Sequence, residues 1–175
     1  MWEYDQWYCH IPVPSAVDAG ENKVLVVGGY ELGATMLKIE KNEDGTYRAR
    51  ELFTTEEFGD QTKPPILNDG YFYAQFGTNS TRNGLTCMNM DGEIMWKTKR
   101  DPDFNKGSMI LADGLILATD GAKNLYLIEP DPTAFRQLAS SEILEPGQNW
   151  APIALTEGKL LIRDRNRLMC VKVAE

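Results

Sequence analysis

Asn68-Asp69-Gly70-Tyr71-Phe72-Tyr73, Ala112-Asp113-Gly114-Leu115-Ile116-Leu117 and Thr156-Glu157-Gly158-Lys159-Leu160-Leu161 repeat one pattern: an acidic residue, a glycine, then a short apolar strand. Successive glycines of the pattern stand 44 residues apart. An acidic-Gly pair supplies the positive φ values that a tight hairpin needs. A repeat of this length built from strands and turns is the sequence signature of a β-propeller blade. The pattern therefore predicts an all-β chain, a β-propeller of four-stranded antiparallel meanders.

Working outward from these turns, alternating apolar residues and turn residues divide the chain into four blades. Blade two (63–100) reads as strands Pro64–Asn68, Tyr71–Phe76, Leu85–Met90 and Glu93–Lys99, with Asp91-Gly92 as a further turn. Blade three (106–144) reads as Ser108–Ala112, Leu115–Thr119, Leu125–Glu129 and Arg136–Leu144. Blade one (14–54) reads as Ser15–Ala19, Lys23–Val27, Ala34–Glu40 and Tyr47–Phe53. Blade four (150–175) supplies only Ala151–Thr156, Lys159–Arg163 and Leu168–Val173. The segment Trp2-Glu3-Tyr4-Asp5-Gln6-Trp7 alternates aromatic and polar residues, so residues 1–9 are expected to form the missing outer strand. Three closures follow: a four-bladed ring, two chains closing an eight-bladed ring as a homodimer, or the C-terminal half of a longer eight-bladed chain. The last is favoured for the natural protein, because Met1 falls inside a blade.

Composition narrows the partners. The chain has 175 residues, 42% apolar and 25% charged, as an ordinary folded domain does. Its formal net charge of −8 excludes the concentrated basic surface that nucleic acid requires, and also disfavours an anionic membrane surface. No apolar run is long enough for a transmembrane segment, and the N-terminus has no signal-peptide pattern. The three cysteines Cys9, Cys87 and Cys170 match no zinc spacing and no disulfide framework.

Two stretches carry a family resemblance. Trp150-Ala151-Pro152-Ile153-Ala154-Leu155, followed by Gly158–Arg163 and Leu168–Val173, resembles the last repeat of a PQQ-like (quinoprotein-like) β-propeller. Leu85–Met90 with Asp91-Gly92-Glu93-Ile94-Met95-Trp96 is similar to that family's repeat core. The resemblance implies that Trp96 docks one blade on the next, with Leu52 or Phe53 and Ile143 or Leu144 replacing it in blades one and three. It also implies a periplasmic or secreted setting. The family's dehydrogenases bind PQQ and calcium beside a vicinal cysteine pair, which this chain lacks, so no residue set maps onto that cofactor site.

The remaining candidates are weighed residue by residue. Cys87 and Cys170 share a repeat position with Met36 and Leu127, which reads as a core position. Cys9 and His10 are adjacent on an extended segment, so their side chains point apart and are poorly placed to share a proton. Asp101-Pro102-Asp103-Phe104-Asn105 places oxygen ligands at alternate positions, as a calcium loop begins, but lacks the later glycine and glutamate; it is read as a solvated loop. Arg163-Asp164-Arg165-Asn166-Arg167 is read as a charged hairpin tip, with an anion grip as the alternative. Propeller ligands sit on the loop face, and the candidate ligand-binding residues there are Tyr30, Glu31, Asn79, Arg82, Asp120, Lys123, Trp150, Arg163 and Arg165. These readings predict a non-catalytic module that binds protein, a small ligand or a glycan, with no catalytic or metal residues. The alternative is part of a quinoprotein dehydrogenase.

Overall fold

In the computed structural model, which describes residues 1–77 and 82–174, each of the three repeated acidic-Gly turns is a two-residue hairpin with both central residues at positive φ, whereas at Asp91-Gly92 only the glycine is. Asp69 and Gly70, Asp113 and Gly114, and Glu157 and Gly158 have φ of 48° and 80°, 49° and 76°, and 48° and 69°. This is the turn whose twist matches that of paired strands. Blade one uses Glu21-Asn22 in the same way.

The strands follow the expected order with small shifts at their ends. Blade one contains β1 (Val17–Gly20), β2 (Lys23–Gly28), β3 (Gly33–Lys41) and β4 (Tyr47–Thr55). Blade two contains β5 (Ile66–Asn68), β6 (Tyr71–Gly77), β7 (Arg82–Asn89) and β8 (Ile94–Lys97). Blade three contains β9 (Met109–Ala112), β10 (Leu115–Thr119), β11 (Asn124–Glu129) and β12 (Arg136–Glu142), and blade four β13 (Ala154–Thr156), β14 (Lys159–Arg163) and β15 (Leu168–Lys172). Each sheet is an antiparallel meander in sequence order, four-stranded in blades one to three and three-stranded in blade four. The chain is an all-β protein of β-propeller architecture.

The second strands of blades two and three are buried along most of their length, because their alternate residues face two neighbouring sheets, whereas β2 is buried at alternate positions toward blade two. Phe72, Ala74 and Met88 pack against Leu25, Val27, Ala34 and Met36 of blade one. On the opposite face of blade two, Tyr73, Leu85 and Cys87 pack against Ile116, Ala118, Tyr126 and Ile128 of blade three. Leu117 and Leu125 then pack against Leu160 and Ile162 of blade four. The core is thus three wedges between consecutive sheets. Among the described residues no wedge joins blade four to blade one, so the sheets form an arc with two ends.

A bulge recurs at the same place in each outer strand. The pairing Met36 with Phe53 is followed by Leu37 with Glu51; Cys87 with Trp96 by Met88 with Ile94; and Leu127 with Ala139 by Ile128 with Gln137. The extra residues, Leu52, Met95 and Leu138, are pushed outward to solvent. Trp96 docks as expected: it meets Tyr73 and Phe135, and its Nε1–H donates to the Asp131 carbonyl of blade three at 2.8 Å. Phe53 takes this role in blade one, while Leu52 is the exposed bulge residue. In blade three the register equivalent is Ala139. Ile143 and Leu144 fill the wedge from beyond the strand end instead.

Polar side chains near the inner strands tie the sheets together. Gln75, fully buried, accepts from Gly107 N–H and donates to the Thr119 carbonyl, both at 2.7 Å, which joins blade two to blade three. Ser108 Oγ accepts from Ile153 N–H at 3.1 Å, which joins blade three to blade four.

One expectation fails. Residues 1–16 form no strand, so the outer strand expected over 1–9 is absent and blade four keeps three strands. The competing contact is with blade one: Trp2, Tyr4 and Trp7 line a groove with Ala16, Val24, Val26, Thr35 and Leu37 on its free face, where Tyr4 and Trp7 are half-buried and Trp2 stays exposed.

Candidate functional site

The loops entering blades three and four enclose a cavity of about 180 Å³ lined by Arg82, Asp103, Asn105, Lys106, Asp120, Gly121, Ala122, Gly147, Gln148 and Trp150. Backbone hydrogen bonds fix its walls. Asn105 N–H donates to the Asp120 carbonyl, and Asn149 N–H to the Gly121 carbonyl, each at 2.9 Å. The walls approach so closely that a Cβ on Gly121 would stand 1.9 Å from the Asn105 carbonyl oxygen, so only glycine fits there.

Asp120 is buried and its carboxylate is spent locally. It accepts from the N–H groups of Ala122 and Asn124 and from Asn124 Nδ2, so it shapes the loop. Arg82 pairs with Asp103 at 3.0 Å. The Lys106 ammonium lies 4.9 Å from the centroid of the Trp150 ring, within the range of a cation–π contact. The Trp150 backbone is held by Lys63 Nζ, which donates to its carbonyl at 2.8 Å. Asn105 Oδ1 is buried without a hydrogen-bond partner. The cavity therefore offers a cation and an aromatic face in one small space.

Three of the residues selected from sequence meet here: Arg82, Asp120 and Trp150. Arg165 reaches the rim, its Nη2 donating to Gln148 Oε1 at 3.3 Å. Tyr30 and Glu31 lie elsewhere, at the tip of the β2–β3 turn with φ of 56° and 67°. They line a second, more apolar cavity of about 580 Å³ with Tyr8, Cys9, His10, Ile11 and Leu32. Lys123 pairs with Glu142 at the blade-three edge, and Arg163 donates to the Asp164 carbonyl; neither lines the small cavity. Asn79 lies outside the described residues. Lys106 escaped the sequence reading; its position one residue before the Gly107-Ser108 entry to blade three is the signal that marks it.

The other candidates resolve structurally. Asp164 is buried at the centre of the arginine-rich turn, where it accepts from the N–H groups of Asn166, Arg167 and Glu145 and from the Arg167 side chain. The Asn166 N–H foremost holds its carboxyl well below the usual range. Cys9 packs near Gly28 and Trp7, while His10 Nδ1 lies 3.5 Å from the Tyr8 hydroxyl. Burial pushes the Cys87 thiol up to about 11, as a core thiol requires. The three cysteines are free; Cys87 is buried, but Cys170 is exposed, against the core position expected for both, because in blade four no further sheet packs over that repeat position among the described residues. Among the described residues no group of three His, Cys, Asp or Glu side chains is placed to hold a metal ion, and no helix is long and apolar enough to cross a membrane.

No protein-family model matches the chain, and no curated protein matches it. Among solved structures, the crystal structure of BamB from Moraxella catarrhalis is similar over 87% of this chain and 54% of that one, at 13% sequence identity and a TM-score of 0.39. The chain spans about half the length of that protein.

Proposed function

We propose that this chain is a non-catalytic propeller module of the PQQ-like kind, which binds a protein partner by receiving one of its side chains at the loop face. The observation that carries this reading is the size and chemistry of the small cavity. Sites for drug-sized ligands occupy roughly 300–1,000 Å³, whereas about 180 Å³ suits a single large side chain. Half-buried aromatic and cationic groups such as Trp150, Lys106 and Arg82 are of the kind that a protein interface covers. The cavity's groups are held by backbone and ion-pair contacts, and none forms a nucleophile–base pair, so binding rather than turnover is the fitting use. A periplasmic or secreted setting accompanies this reading through the repeat resemblance alone.

The test is a pull-down from extracts with the wild-type chain beside Trp150→Ala and Lys106→Ala, with fluorescence of Trp150 followed on titration of the captured partner. Wild type should retain a partner that both variants lose, and the partner should change Trp150 emission. A partner held equally by all three chains, with unchanged emission, sinks the assignment of this cavity.

A further inference from the structure

The carboxylates that line the small cavity are already engaged. Asp120 accepts from Ala122 N–H at 2.8 Å, from Asn124 N–H at 3.1 Å and from Asn124 Nδ2 at 2.6 Å. Asp103 accepts from Arg82 Nη1 at 3.0 Å. Two cations at the same place are not matched in this way. Among the described residues Lys106 forms no ion pair, and its ammonium lies over the Trp150 ring instead. Arg165 forms none either; it donates to a neutral amide, Gln148 Oε1, at 3.3 Å, and its Nε would lie 3.8 Å from a Cβ on Gly147, so its guanidinium sits against the rim.

The chain has 26 acidic residues against 18 basic ones, yet the half-buried Lys106 keeps an unmatched charge. Its backbone holds it there. Lys106 has a φ of 59°, in the left-handed region that a lysine seldom adopts. The next residue is locked: Gly107 N–H donates to Gln75 Oε1 at 2.7 Å, and the Thr119 carbonyl oxygen stands 1.8 Å from where a Cβ on Gly107 would be. Backbone held in this way clusters at ligand sites.

The charges discriminate among occupants. A cationic side chain would meet Lys106 and Arg165 as like charges. An apolar one would take water from the ammonium and return no hydrogen bond, which is costly. A carboxylate replaces that water with charge-assisted hydrogen bonds, which are stronger than neutral ones.

We propose that the side chain received at this cavity is an aspartate or glutamate of the partner protein, with its carboxylate on Lys106 and Arg165 and its methylene stem on the Trp150 ring. This rests on the reading of the cavity as a receptor for a partner's side chain. Arg82 stays with Asp103 as part of the wall.

The test uses four capped tripeptides, acetyl-Gly-Xaa-Gly-amide with Glu, Gln, Lys or Phe at the centre. Each is titrated to millimolar concentration into the full chain, and the Trp150 indole N–H signal is followed by NMR, its assignment fixed by Trp150→Phe. The Glu peptide should shift the signal and bind about tenfold tighter than the Gln peptide, the factor expected of one charge-assisted contact. Added salt should narrow that difference. Lys106→Gln should make the Glu and Gln peptides equal, and Lys106→Glu should transfer the preference to the Lys peptide, both with an unchanged circular dichroism spectrum. Equal binding of the Glu and Gln peptides by the wild-type chain, or a preference for Lys or Phe, overturns the carboxylate assignment and leaves the cavity a side-chain receptor. Inorganic phosphate that shifts the signal as strongly as the Glu peptide also overturns it, because the site would then bind any anion. No shift with any peptide overturns both this assignment and the receptor reading.

Discussion

Gln75→Met tests whether buried polar contacts near the inner strands hold the blades in register. Methionine nearly conserves the volume of glutamine, so the change isolates the hydrogen bonds from packing. It removes the acceptor of Gly107 N–H and a donor to the Thr119 carbonyl, both at 2.7 Å and both buried. An orphaned buried donor costs about 1–3 kcal/mol and a lost hydrogen bond about 1 kcal/mol more, giving an expected loss of about 2–4 kcal/mol. In urea, with a slope of about 2 kcal/mol/M, the midpoint should fall by about 1–2 M. Gln75→Glu should be destabilised similarly at neutral pH, where its carboxylate faces the Thr119 carbonyl, and should recover at acid pH, where its hydroxyl can donate. A Gln75→Met midpoint within about 0.2 M of wild type would refute the reasoning, because it would mean that the apolar wedges alone set the junction.

Three further outcomes can be measured. Asp60 is buried, and burial pushes its carboxyl up to about 6 against the opposing pull of the Thr62, Lys63 and Gln75 N–H groups. Between about pH 4 and 6 the folded chain keeps this proton while the unfolded chain has lost it, so this group's contribution to stability falls as pH rises. Asp60→Asn should remove that slope, gaining about 3 kcal/mol relative to wild type from pH 4 to pH 7 at about 1.4 kcal/mol per pH unit, as read from urea midpoints across that range. Gly107→Ala should destabilise by more than about 2 kcal/mol, because its Cβ would stand 1.8 Å from the Thr119 carbonyl oxygen; a double-mutant cycle with Gln75→Met should show strong non-additivity, since both act on one contact. Trp96→Phe keeps the ring contact but loses the hydrogen bond to the Asp131 carbonyl, which should cost about 1 kcal/mol and be visible as a lower melting temperature.

The acidic-Gly turns, the alternation of the strands and the 44-residue spacing were enough to read the blades, because hairpin φ values and strand periodicity are local properties. The same locality explains why Trp96 could be assigned its docking role from its repeat position, and why Cys87 reads as core. Blade three was harder: its docking position holds Ala139, and Ile143 and Leu144 fill the wedge from outside the strand. Which residue follows a bulge depends on pairing register, and register is a relation between two strands. Of the candidate site, Arg82, Asp120 and Trp150 were legible as loop-face polar or aromatic residues. Their meeting around Lys106, and the separation of Tyr30 and Glu31 into another cavity, were not.

The sequence by itself determined the repeat, the strand order, the turn type and the acidic balance, since each follows from residue type at fixed local spacing. Only the tertiary structure decided that residues 2–7 lie on blade one rather than on β15, and that a side-chain-sized cavity forms beside Trp150. Those outcomes depend on which of several apolar surfaces wins the same rings and on how closely distant backbones approach, as at Gly107 and Gly121. Such choices are made between segments far apart in the chain, and no local pattern encodes them.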